Sequence, residues 1–196
     1  MYKICQTESS QKRQRHIEDT LFELMRKHPY SDITISALCA KADIPRKAFY
    51  RYFDTKDDVL HALIDHTQMR YLYEGPAGPN GYDEVLRMYT FWYEHRDLLD
   101  VLFKNDMEGL WYSRMIDKAI EERVGARYAQ HKDRSDAYRL MTTFTVGGLL
   151  SCVVWCHRLG WQKTTQEMAK ITSALLTNPL YDIQMMGNFA KTVPLE

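Results

Sequence analysis

Apolar residues recur at three- and four-residue spacing along most of this chain, and runs of strict apolar/polar alternation are absent. That period marks helices with one buried face, so the chain is predicted to be all-α, with about nine helices. Ile17, Leu21, Leu24 and Met25 fall on one face of a first helix, which should end near His28-Pro29. Leu38 begins the apolar face of a short second helix, and Phe49 and Phe53 lie one turn apart on a third. Leu60, Leu63 and Ile64 face inward from a fourth, whose start carries a capping box, Thr55-Lys-Asp-Asp58. The stretch from Glu74 to Gly81 holds two prolines and three glycines in eight residues and must break any helix. Five more helices are predicted after it, at about 83–95, 97–104, 107–130, 134–158 and 164–177. The last opens on a second capping box, Thr164-Thr-Gln-Glu167.

The break divides the chain into an N-terminal module, residues 10–73, a larger helical domain, residues 82–177, and a tail, residues 178–196, with no predicted structure. The 196 residues suit one ordinary domain or two small ones, and 45% hydrophobic with 27% charged residues is a globular composition. Formal net charge is zero, but it is unevenly spread: between Lys12 and Lys56 there are ten Lys/Arg against six Asp/Glu. A neutral total with a basic quarter leaves a polyanionic partner open. The N-terminus lacks the apolar core of a signal peptide. The longest apolar run, Phe144 to Cys156, is interrupted by Thr145, two glycines and Ser151 and falls short of a span of about 18 apolar residues. Four cysteines without framework spacing fit reduced thiols, so a cytoplasmic protein with no membrane partner is expected.

The basic quarter has local logic. Thr34 is placed to cap the second helix, Asp43-Ile44 forms a turn in which Asp tolerates left-handed angles, and Pro45 suits the first turn of the third helix. Two short helices around a tight turn make a helix-turn-helix. With Phe49 and Phe53 inward, Arg46 and Tyr50 share an outer face with Lys47 and Arg51 beside them. A basic, aromatic helix N-terminus suits a polyanion, and the major groove of DNA admits a helix of this size. Lys56, at the next helix start, is in reach of a backbone phosphate. On pattern alone, a merely solvated charged face stays equally open.

The stretch from Thr34 to Leu60 resembles the DNA-binding signature of the TetR family of bacterial transcriptional regulators. Thr34 opens the second helix, Ala42 precedes the turn, and Tyr50 to Phe53, Thr55-Lys56-Asp57 and Leu60 follow in order without a gap. With the first helix, the resemblance covers about residues 10–66. Asp43 stands where the family has Gly, Tyr52 where it has His, and Pro45 with Arg46-Lys47 replaces a commoner Ser-Lys-Gly, which bears on the bases read. The resemblance implies an all-helical homodimer that reads a palindromic operator in double-stranded DNA and responds to a small-molecule effector. It assigns Thr34, Ser36, Tyr50, Tyr52 and Lys56 mainly to phosphate and Arg46 and Lys47 to bases, Arg46 first for selectivity. A repressor released from its operator by ligand is the function so implied.

The C-terminal half carries no motif of its own. The helix from about Asp136 to Arg158 is unusually apolar, and Gly147 and Gly148 would allow close helix approach. It is either the core of one subunit or, as the resemblance implies, half of a dimer interface with the last helix. Tyr89, Trp92, Tyr93, Phe103, Trp111 and Tyr112 are candidates to line an effector pocket, with His95, Asp106 and Glu108 as polar contacts; ordinary core is the other reading of each. Cys152 and Cys156 lie one turn apart, followed by His157, which opens a thiol- or metal-responsive alternative without a visible third ligand. A helical protein-interaction module, its basic helix serving an acidic protein, is the remaining alternative. No Gly-x-Ser-x-Gly, phosphate loop or His-Glu-x-x-His is present, so no catalytic residue, resident metal or cofactor is assigned and an enzyme is not expected.

Overall fold

In a computed structural model, residues 2–73, 80–128 and 135–177 are described, with side chains described for all of these except 123–128, 135 and 177. Helices account for every regular element among them: α1 (Glu8–Met25), α2 (Ile35–Lys41), α3 (Arg46–Phe49), α4 (Lys56–Tyr73), α5 (Gly81–Glu94), α6 (Arg96–Lys104), α7 (Glu108–Tyr128), α8 (Ser135–Arg158) and α9 (Thr165–Thr177), with a single 3-10 turn at Tyr30–Asp32. The helix limits follow the periodicity closely, because side chains in the sequence close the helix ends. Both capping boxes form: Asp58 N–H donates to Thr55 Oγ1 at 3.1 Å while Thr55 N–H donates to Asp58 Oδ2 at 3.0 Å. Glu167 N–H donates to Thr164 Oγ1 at 3.2 Å, and Thr164 N–H to Glu167 Oε2 at 2.7 Å. Each satisfies two N–H groups that an open helix start leaves without partners.

The chain falls into two compact units: Met1–Glu74 with Asp97–Lys118, and Gly75–Arg96 with Ala119–Glu196. So α6 and the first half of α7 group with the N-terminal module, although the break at Glu74–Gly81 had separated them from it in sequence. The breaking residues 74–79 and the tail 178–196 lie outside the described residues.

The core of the first unit is built where the pattern puts it. Ile17 and Leu21 of α1, Leu38 of α2, Phe49 and Phe53 around α3, and Leu60 and Ile64 of α4 are all at most 2% exposed. Phe49 and Phe53 pack together with ring centroids 5.8 Å apart. Burying a Phe side chain contributes about 1.5–3 kcal/mol, so these two rings hold the α2–α3 hairpin against α1 and α4. In the second unit α5, α8 and α9 pack together, burying Val85, Met88, Tyr89 and Trp92 of α5 with Leu150, Val153 and Cys156 of α8 and Met168 and Ala169 of α9.

Candidate nucleic-acid interface

The turn between α2 and α3 is a Schellman closure. Ile44 N–H donates to Cys39 O at 3.0 Å and Asp43 N–H to Ala40 O at 3.3 Å, which requires Asp43 in the left-handed region, at φ +51°. Glycine is the usual residue there, and Asp is among the few that tolerate it. His16 Nε2 meets the Ala42 carbonyl at 3.0 Å and ties the turn to α1. Pro45 precedes the first residue of α3 with φ −64°. The α-helical segment is only Arg46–Phe49, after which tighter turns carry the chain to Phe53.

This backbone sets out a polar surface. Thr34, Ser36, Arg46, Lys47, Tyr50 and Arg51 are exposed around the α2–α3 corner. Thr34 Oγ1 accepts from Ala37 N–H at 3.1 Å as the α2 cap, which leaves its hydroxyl proton free to donate. Arg46 is held from two sides: Nη1 donates to Ser36 Oγ at 3.3 Å and Nη2 to Tyr50 Oη at 3.1 Å. Two of its five N–H groups are thereby engaged and its planar fork is oriented. The bond to Tyr50 holds the guanidinium above its usual range, so it stays charged. Because Arg46 donates to both hydroxyls, their own protons point elsewhere, as donors to an anion would.

Two residues lie differently from the expected outward rim. Tyr52 is buried, at 8% exposure, so its ring belongs to the core rather than to the surface. The reason is the tightening after Phe49: Tyr52 N–H donates to Phe49 O at 2.9 Å, which rotates residue 52 inward relative to a continued α-helix. Lys56 is committed within the chain. Its Nζ donates to Tyr30 O at 2.6 Å and sits 4.1 Å from the centre of the Tyr30 ring. Tyr30 in turn donates its hydroxyl proton to Asp57, and burial first, then Asp57, pushes its own ionisation upward. Tyr30 is therefore part of the α4 start, a role that its position outside any predicted helix did not signal.

The aromatic candidates divide between the units. Tyr89, Trp92 and Tyr93 belong to α5, in the second; Phe103 of α6 and Trp111 and Tyr112 of α7 belong to the first. Tyr89, Trp92 and Trp111 are at most 2% exposed, whereas Tyr93 is 40% exposed and meets Trp161 edge-on at 5.5 Å. Phe103 and Trp111 contact each other at 5.6 Å. His95 caps α5, its ring stacked on Phe91 at 4.0 Å and Nδ1 2.8 Å from Phe91 O, and Asp106 occupies a left-handed turn position. The Tyr89 hydroxyl is buried beside Cys152 and Thr172 but makes no hydrogen bond of ordinary geometry; Thr172 gives its own proton to Met168 O at 2.8 Å. Burial, and next Cys152, push the Tyr89 phenol upward. A hollow of ≈ 250 Å³ in this unit is lined by Gly81, Tyr82, Ser173, Ala174 and Leu176 and by none of the six aromatics.

Among the described residues no three His, Cys, Asp or Glu side chains converge to hold a metal. Burial raises both thiols of the Cys152–Cys156 pair, Cys156 to about 11, away from thiolate reactivity.

Residues 17–63 match the family model described as "Bacterial regulatory proteins, tetR family". No curated protein matches the sequence. Among solved structures, the fold resembles the dihydroxyacetone kinase operon activator DhaS at 16% identity, over 92% of this chain and 96% of that one, with a TM-score of 0.51. It also resembles the TetR family repressor AlkX from Dietzia sp. strain DQ12-45-1b, implicated in biodegradation of n-alkanes, at 12% identity over 92% and 97% of the two chains, with a TM-score of 0.50.

Proposed function

We propose that this chain, whose residues 17–63 match the family model of the bacterial tetR regulators, works as a homodimeric repressor on a palindromic operator and leaves it when a small molecule binds. The observation that carries the DNA half is the Arg46 guanidinium, exposed and aimed by Ser36 and Tyr50. An oriented Arg fork is the commonest reader of guanine. Lys47 stands beside it as the second base reader. Thr34, Ser36 and Tyr50 donate to phosphate and position the module. Lys56 joins them only by exchanging its Tyr30 carbonyl for a phosphate oxygen, and Tyr52 serves packing.

The dimer rests on α8. Leu140, Met141 and Phe144 are 63–72% exposed and Trp155 is 53% exposed, on the same helix whose Leu150, Val153 and Cys156 are buried. Gly148 lies on the exposed side with open space where a side chain would stand. Asp136–Arg158 is long and apolar enough to cross a membrane by length and composition. One packed face and one bare apolar face with a glycine in it fit a partner helix better than lipid. The occupant is a second copy, since a regulator reading a palindrome needs two-fold symmetry and a self-complementary seam supplies it.

For the effector, the Tyr89 hydroxyl is the contact we propose. A buried hydroxyl without a partner costs about 1–3 kcal/mol, and a ligand bearing an acceptor would recover it. The effector class proposed is an apolar molecule with one acceptor group. Random duplex DNA selected on the purified protein, followed by a screen for small molecules that dissolve the complex, tests both halves. A recovered palindrome released by such a molecule supports the proposal; DNA bound without sequence preference defeats it.

A further inference from the structure

The residues before α1 carry no periodicity and read from sequence as a loose end around Cys5, yet the structure ties them down. Lys3 is held from several sides. Its backbone N–H donates to Tyr52 O at 3.0 Å, and its Nζ donates to Tyr50 O at 2.7 Å and pairs with Asp54 at 3.2 Å. Its carbonyl accepts from Gln14 Nε2 at 2.9 Å, and Gln14 is itself 3% exposed on α1. The carbonyls that Lys3 reaches are those at the carboxyl end of α3, where a helix leaves acceptors open and a cation is favoured.

The preceding residue holds a different joint. Tyr2 donates its hydroxyl proton to Asp65 Oδ2 at 2.9 Å, its ring edge-on to His66 at 5.3 Å. Asp65 is clamped by Arg114 of α7 through two bonds, Nε to Oδ1 at 2.9 Å and Nη2 to Oδ2 at 2.6 Å. Two adjacent residues thus grip the end of α3 on one side and the α4–α7 ion pair on the other.

We propose that Lys3 and Tyr2 are positioning residues for DNA recognition: this strap fixes the carboxyl end of α3, and through Tyr50 the aim of Arg46, and links it to the Asp65–Arg114 pair without touching DNA. The proposal rests on α3 being the DNA-reading element. Lys3 is suited to this and not to phosphate binding. Asp54 already neutralises it, and two of its three ammonium protons are spent on Asp54 and the Tyr50 carbonyl. Its reach into recognition runs through Tyr50, whose carbonyl it holds while the phenol of the same residue holds Arg46.

The test compares Lys3→Met, Lys3→Arg and Tyr2→Phe in the full chain, on the duplex selected by the wild type and on a scrambled duplex, across a salt series. Losing a charged hydrogen bond at the α3 end should weaken the selected duplex about tenfold in Lys3→Met, with scrambled binding and the salt slope unchanged. Lys3→Arg should restore most of the loss, and Tyr2→Phe should cost about two- to threefold. Lys3→Met should also add little to Arg46→Ala, because both act on one contact. Equal weakening on both duplexes with a slope shallower by about 0.9 would make Lys3 a phosphate contact and overturn the proposal. Equal weakening with an unchanged slope and a lowered melting temperature would make the strap merely structural, and no change at all would make it idle. A wild type that selects no duplex overturns the DNA reading of α3 first, and that result appears before any variant is compared.

Discussion

The α2–α3 corner and the α8 helix are built to opposite rules. At the corner the apolar side chains, Leu38, Phe49 and Phe53, are wholly buried and the exposed side is Thr34, Ser36, Arg46, Lys47 and Tyr50. On α8 the exposed side is itself apolar, with Leu140, Met141, Phe144 and Trp155 open. A surface of oriented donors around an Arg fork has chemistry for a polyanion and nothing for an apolar partner. A bare seam with a glycine in it has the reverse. The two surfaces differ in chemistry, so a substitution in either one is expected to leave the other intact.

The largest effect expected is on the scaffold beneath the corner. Phe49→Ala should cost about 3–5 kcal/mol, enough to unfold the reading module, and abolish DNA binding; urea denaturation followed by CD measures it. A loss under 1 kcal/mol would mean that the two rings do not anchor the hairpin. Next comes the seam. Phe144→Asp should turn a dimer into a monomer in sedimentation, while the melting of the reading module stays as in the wild type. An unchanged dimer would remove α8 from the interface.

Smaller and more specific effects belong to the corner. Arg46→Ala should cost about 1–3 kcal/mol on the selected duplex and relax one base position in each half-site, read by repeating the selection. Lys56→Ala should weaken selected and scrambled DNA alike and make the salt slope shallower by about 0.9 if it trades Tyr30 for phosphate. An unchanged slope keeps it as a structural partner of Tyr30.

The smallest effect concerns pH. Glu18 is 1% exposed, lies 2.9 Å from His66 Nδ1 and 3.3 Å from Arg15, and is pushed up by burial, against the pull of Arg15, from 4.5 to about 8. The folded state therefore holds a proton that the unfolded state releases, and this contribution to stability is complete below 4.5 and fades as pH rises toward about 8. Glu18→Gln keeps an amide for His66 and removes the titration. Its melting temperature should vary less than the wild type's across that window, by a difference of roughly a few degrees. Parallel melting curves would contradict it.

The helices and the corner were legible because their signals are local. The capping boxes at Thr55–Asp58 and Thr164–Glu167, the left-handed Asp43 and the Phe49/Phe53 spacing each depend on residues within about one turn of each other. What escaped depends on distant partners. Tyr52 turns inward because the chain tightens after Phe49, a change of backbone that side-chain spacing does not encode. Lys56 meets Tyr30 across 26 residues, and Lys3 meets Tyr50 across 47. The grouping of α6 and early α7 with the first unit has the same origin, as in the Asp65–Arg114 pair separated by 49 residues. The aromatic stretch from Tyr89 to Tyr112 looked continuous in sequence but serves two units, because a run of rings says nothing about which core each one enters.

The most direct measurement is the pair of selections, wild type and Arg46→Ala, on one random duplex pool at one salt concentration. A palindromic consensus is expected for the wild type, and the same palindrome with one position per half-site no longer specified for the variant. Identical consensus sequences from both proteins, or no consensus from the wild type, would contradict it.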